Sequence, residues 1–303
     1  MANDISYGTE PAVGKAIKHS GVPRDQIFVT SKLWNNKHSP ADVAQALQDT
    51  LNDLGLEYLD LFLMHWPVAF KPGDDMFPSD ENGKLVTADI DYVDVSIIER
   101  QYFICIADSF KTYRAMEDLV KSGKTKAIGI SNFSQKEVER LLANSTIVPA
   151  IHQMELHPWL QQKGFMKFHQ QKGIHVTQFS PFGNQNEIYG SREKYGQLVN
   201  DNSLIEIGKK YGKTSTQVAL GKNLPTLPRF VVFNQFSIVW GIAHGRSVIP
   251  KSKSPERIIQ NFDIDFELDL ADIRKIDSID KKVRFNDASK DFGYELFSDL
   301  DGK

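Results

Sequence analysis

The chain has 303 residues, with 36 Lys+Arg against 39 Asp+Glu and a formal net charge of −3, which gives no electrostatic case for nucleic acid or an anionic membrane as partner. Its one cysteine, Cys105, excludes an internal disulfide framework and any cysteine-based metal cluster, and fits a reducing, cytoplasmic setting. The opening MANDISYGTE is polar and acidic, unlike a basic-then-apolar leader, and no apolar run approaches the ~20 residues that span a bilayer, so a soluble protein with a small ligand is expected.

In chain order, short β-branched runs alternate with amphipathic stretches of helical spacing, the pattern of repeated βα units and a parallel sheet. The predicted strands are Ile27–Leu33, Leu59–Trp66, Thr125–Asn132, Ala150–His157, His175–Pro181 and Arg246–Ser252. Between the first two, Ser39-Pro40 opens a helix that Gly55 ends. Gly123 ends the helix before the third strand, and Ser134 opens QKEVERLLAN after it. No linker interrupts the alternation, so one domain over 1–303 is expected. A closed barrel and an open doubly wound sheet both fit. No G-x-G-x-x-G follows a predicted strand, which removes the usual Rossmann phosphate cradle. Lys32, His65, Ser131-Asn132, Gln153, His157, Ser180 and Lys251-Ser252 gather at the strands' C-terminal ends, the rim on which a barrel builds its site.

Six motifs in order, YGTEPAVGKAIKHSGVPRDQIFVTSKLW, LDLFLMHWP, KAIGISNF, HQMELHPW, SPFGN and GRSVIPKSKSPERI, resemble those of the aldo-keto reductases, in particular the fungal glycerol, xylose and aldehyde reductase type. The tail KVRFNDASKDFGYELFSD is similar as well. The resemblance implies a TIM (β/α)8 barrel, here incomplete with its first strands missing. It also implies an NADPH-dependent reduction of aldehydes or small ketones to alcohols, with polyol oxidation as the reverse reaction.

The catalytic residues it implies are Tyr7 as general acid, Lys32 and His65. A free phenol titrates near about 10, and an ammonium beside it stabilises the phenolate, so Lys32 makes Tyr7 a usable proton donor at neutral pH. His65 orients and polarises the substrate carbonyl. For NADPH/NADP+, Ser131, Asn132 and Gln153 match the residues that hold the nicotinamide carboxamide. Phe179 stands where the family carries a stacking Tyr, followed by Ser180. Lys251, Ser252 and Arg257 match the clamp on the 2′-phosphate, which favours NADPH over NADH. Asn261 matches an adenine contact and Gln260 replaces a neighbouring family acid. Trp34, Trp66 and Phe182 suggest an aromatic-lined pocket for a short carbon chain, while Trp159 is assigned to packing.

Three departures stand against the pattern. The family Asp five residues before the catalytic Tyr falls at Ala2, and Asp4 lies roughly 6.6 Å further along an extended chain, so a catalytically impaired relative that binds NADPH, or acts as a non-catalytic partner, is the alternative reading. Segments 95–108 and 221–238 read as insertions, since deleting either restores a family-like helix, and both could open on splice-donor-like codons as retained introns do. With Pro225 and Pro228, the second is expected to bulge as a loop.

Overall fold

The computed structural model describes residues 8–92, 112–183, 191–211, 233–262, 264 and 266–302. These form two compact units: one of the described residues up to His152 with Ala288–Asp299, the other of those from Gln153 to Asp287 with 300–302.

The first unit runs α1 (Glu10–His19), β1 (Thr30–Leu33), α2 (Pro40–Leu54), β2 (Leu61–Met64), α3 (Thr112–Lys121), β3 (Ile128–Ser131) and α4 (Gln135–Asn144), then the first two residues of β4 (Ile151–Glu155). Its strands pair in parallel, with Lys32 opposite Leu63 and Leu63 opposite Gly129. A parallel sheet covered on both faces needs strands that are apolar throughout, and every residue of β2 is buried. Gly129 is fixed by close approach, because a Cβ there would stand 2.3 Å from the Ile151 carbonyl oxygen. Val43, Leu47 and Leu51 form the inward stripe of α2, spaced four apart so that they share one face.

Two helix ends distinguish pattern from structure. Ser134 caps α4 as its sequence predicts, in a capping box with Glu137. Ser39 precedes α2 but makes no side-chain cap bond; Pro40 lacks an N–H, and the Asp42 amide is instead met by the Ser39 backbone carbonyl at 2.8 Å. Gly55 ends α2 with φ 64°, a left-handed conformation that favours glycine.

The second unit contains the last three residues of β4, then α5 (Lys163–Lys172), β5 (His175–Phe179), α6 (Ser191–Tyr195), α7 (Asn202–Lys210), α8 (Phe233–Ala243), β6 (Ser247–Ile249), α9 (Pro255–Phe262) and α10 (Leu270–Asp277). The short α11 (Ser289–Phe292) belongs to the first unit. β5 and β6 pair in parallel, Gln178 opposite Val248. The core of this unit joins Leu204 and Ile207 of α7, Val239 and Trp240 of α8, Ile276 of α10 and the loop residues Trp159 and Phe285. Trp159, assigned to packing from sequence, is 4% exposed and donates its indole N–H to Asp201 at 2.9 Å.

All six predicted strands exist, and each is shorter than its sequence run. Lys32, Ser131 and Gln153 stay within the shortened strands, while His65, Asn132, His157, Ser180, Lys251 and Ser252 follow them in loops. Residues 95–108 and 221–232 lie outside the described residues. From 233 to 238 the expected loop is replaced by the opening of α8. The reason is local: both prolines lie upstream, and Ile238, Val239 and Trp240 are 3%, 7% and 0% exposed, which rewards continued helix.

Candidate active site

In the first unit, three neighbouring strands deliver Lys32, His65, Ser131 and Asn132 to one end of the sheet. Lys32, on β1, is only 7% exposed, an uncommon position for an ammonium group. His65 follows β2 directly, and its amide donates to the Leu33 carbonyl at 3.2 Å, so the β1–β2 ladder sets its position beyond Lys32. The Lys32–Leu63 register and a two-residue advance place the Lys32 and His65 Cα atoms roughly 8 Å apart by strand spacing and rise. The His65 ring lies 4.9 Å from Trp34. His38, fully buried nearby, is pushed down to about 3 by burial and then by His65, and is neutral at ordinary pH.

Asn132 takes a left-handed backbone, φ 62°, which Asn tolerates better than most residues. Its Nδ2 donates to the His65 carbonyl at 3.0 Å and to Ser131 Oγ at 3.1 Å. Both amide hydrogens are thereby used, which leaves Asn132 Oδ1 as an acceptor and the Ser131 O–H as a donor. That pair complements the NH2 and C=O of a carboxamide.

In the second unit, Gln153 on β4 is 4% exposed. Ser180 follows Phe179 at the end of β5 with φ 49°, and its Oγ accepts from Asn286 Nδ2 at 3.2 Å. Lys251 and Ser252 lie in the loop after β6 and Arg257 in the first turn of α9, with Lys251 and Arg257 exposed. Ser252 Oγ accepts from the Ser254 amide at 3.2 Å, and Ser254 Oγ from the Arg257 amide at 3.4 Å, which fixes the loop into the first turn. Asn261, on the same helix, is 7% exposed, and its Oδ1 has no hydrogen-bond partner. Gln260 sits half-buried beside it. Tyr7 lies outside the described residues.

A model of the aldo/keto reductase family, described by that name, matches residues 6–281. The chain belongs to the aldo/keto reductase family. It is 42% identical over 283 residues to an uncharacterized oxidoreductase of Schizosaccharomyces pombe, with 93% of this chain and 77% of that protein covered. It is 38% identical to the aldo-keto reductase family 1 member A1 of Xenopus tropicalis, covering 92% and 76%, and 33% identical to the human protein of the same name, covering 92% and 77%. The aldose reductase of Schistosoma japonicum is a structural neighbour with TM-score 0.76 at 27% identity, covering 98% of this chain and 84% of that one. The parallel βα architecture is thus that of an aldo/keto reductase.

Around His65 this aldo/keto reductase family member carries aromatic residues that sequence reasoning did not single out. Phe70 and Phe77 stand 5.9 Å and 5.3 Å from Trp34, while Phe292 and Phe297 of the tail stand 5.2 Å and 6.3 Å from Trp66. Within the first unit the tail is tied to α4 by Tyr294, whose OH donates to Glu137 at 2.6 Å, and by Asp299, which accepts the Lys136 amide at 2.8 Å. The similarity of the tail to the family was the available signal. Phe182, the third aromatic expected in the pocket, is 8% exposed in the second unit.

By sequence His157 belongs with the rim residues. It is fully buried and makes a 2.9 Å bond to Glu155. Burial by itself raises the Glu155 carboxyl, but His157, the Arg284 charge and the Phe285 amide hold it below the usual range. The Phe285 and Asn286 amides donate to it at 2.8 and 2.9 Å, so the pair anchors a loop and does not face a substrate.

Proposed function

We propose that the chain is a single oxidoreductase domain over 1–303, with insertions at 95–108 and 221–238, that reduces aldehydes and small ketones with NADPH and oxidises polyols in reverse. The observation that carries the reading is Lys32, an amine 7% exposed at the C-terminal end of β1, one strand from His65. Buried amines placed at such ends are functional candidates in barrel folds.

NADPH, when bound, supplies the hydride. The remaining chemistry belongs to the chain. Tyr7 gives its phenolic proton to the carbonyl oxygen, and the Lys32 ammonium stabilises the phenolate left behind, so the group works in both directions. His65 donates a hydrogen bond that orients the carbonyl. Ser131, Asn132 and Gln153 would hold the nicotinamide amide, for which they carry matching donors and acceptors, and Phe179 and Ser180 would serve its ring. The orphaned Oδ1 of Asn261 fits an adenine amine, with Gln260 as its neighbour. Lys251, Ser252 and Arg257 fit a 2′-phosphate, which supports NADPH over NADH. Trp34, Trp66 and Phe182 favour a short carbon chain. No helix among the described residues is long and apolar enough to cross a membrane, and a cytoplasmic location is proposed.

Mixing the purified chain with NADPH should quench cofactor fluorescence, and added glyceraldehyde should then bleach the nicotinamide absorbance. Quenching without turnover would instead identify a cofactor-binding relative with impaired chemistry, and the absence of both signals would refute the reductase reading.

A further inference from the structure

A buried cation in the second unit has guanidinium nitrogens without a hydrogen-bond partner. Arg246, just before β6, is 8% exposed, and its Nε and Nη1 make no hydrogen bond. Its guanidinium lies 4.6 Å from the centroid of Trp240. Buried charge without hydrogen-bond partners is costly, and a guanidinium that contributes to a cavity wall while two of its enclosed nitrogens stay unbonded favours an anion beside it.

The cavity it lines is 670 Å³, within the usual range of small-ligand sites, and shares its wall with Lys163, Lys167, His244 and Asp277. It lies at the entry to β5 and β6, the opposite strand end from Phe179, Ser180 and Lys251. Asp277 is the one carboxylate in the lining, and its Oδ1 is already engaged by Trp240 Nε1 at 2.8 Å and His244 Nε2 at 3.4 Å. Lys163, Lys167 and Arg246 against the one carboxylate leave the lining with an excess of positive charge. Met166, Ile174 and Val176 supply an apolar wall. Burial lowers Arg246 to about 10, against the opposing pull of Asp277, and it stays charged at neutral pH.

We propose that this cavity binds a small phosphate monoester, its dianion on Arg246 and its apolar part against Met166, Ile174 and Val176. Nothing in the reductase chemistry requires it.

Titration calorimetry of the full chain with phenyl phosphate tests the assignment. A Lys251→Met/Arg257→Met background keeps the α9 residues from contributing phosphate binding. Arg246→Gln should weaken phenyl phosphate by about tenfold or more, with Arg246→Lys partly restoring it. Affinity within about twofold of the background chain in a folded Arg246→Gln protein would overturn the proposal, as would no binding by the background chain. Should Arg246→Gln not fold, Lys167→Glu at the exposed rim should weaken phenyl phosphate by roughly fivefold, and unchanged affinity there overturns it equally. Inorganic phosphate should bind more weakly than phenyl phosphate; equal affinity removes the apolar half of the assignment.

Discussion

The strand ends of the first unit and the α9 segment of the second hold their polar residues in opposite ways. Ser131, Asn132 and Lys32 are 1%, 3% and 7% exposed and set by ladder geometry, whereas Lys251 and Arg257 are exposed on a loop and a helix turn. Buried groups act through fixed direction, and exposed ones through charge that water and salt weaken. The first arrangement suits chemistry at one atom. The second suits recognition of a dianion.

If that contrast holds, the largest effect belongs to Lys32. Lys32→Met should lower glyceraldehyde turnover by about 10²–10⁴-fold while NADPH still quenches; turnover within a few-fold of the parent would break the contrast. Arg257→Met should weaken NADPH by about 10- to 100-fold, leave NADH almost unchanged, and make the remaining NADPH affinity less salt-dependent. Equal losses for both cofactors would place Arg257 in structure and not in phosphate recognition.

A stability comparison sharpens the same point at a buried carboxylate. Burial alone raises Glu117, but the Ile147 and Thr146 amides, the Thr146 hydroxyl and Arg114 hold its carboxyl below the usual range. A depressed carboxyl contributes stability above its unfolded pKa and loses it as pH falls through the native value. Glu117→Gln should therefore cost about 2–4 kcal/mol at pH 7 in urea unfolding, with the gap to the parent closing below about pH 4. A gap constant with pH would show that the charge contributes nothing. The smallest effect separates the two helix starts: Ser134→Ala should cost about 1 kcal/mol and Ser39→Ala within about 0.5.

Ser39 and Ser134 look alike in sequence, each a hydroxyl before a helical pattern, yet only the second bonds as a cap. Pattern finds the helix start; whether the side chain turns back to it depends on the loop that delivers it. His65 and His157 make the same case for the site. Both end strand runs, but one follows β2 beside Trp34 and the other is consumed by Glu155. For the tail aromatics Phe292 and Phe297 only the tail's resemblance to the family could serve as a signal, since no local period ties residues so distant in the chain to Trp66.

The sequence alone determined the βα alternation, the six strand positions, the family and the strand-end placement of Lys32, His65, Ser131 and Asn132, because periodicity and ordered motifs are local or additive along the chain. Tertiary structure decided which of those polar groups stay available and which are spent on loops, where α8 begins, and that Arg246 is buried with two guanidinium nitrogens unbonded. Those outcomes depend on which groups distant in sequence meet, and pairing and burial exist only once the chain has closed around them.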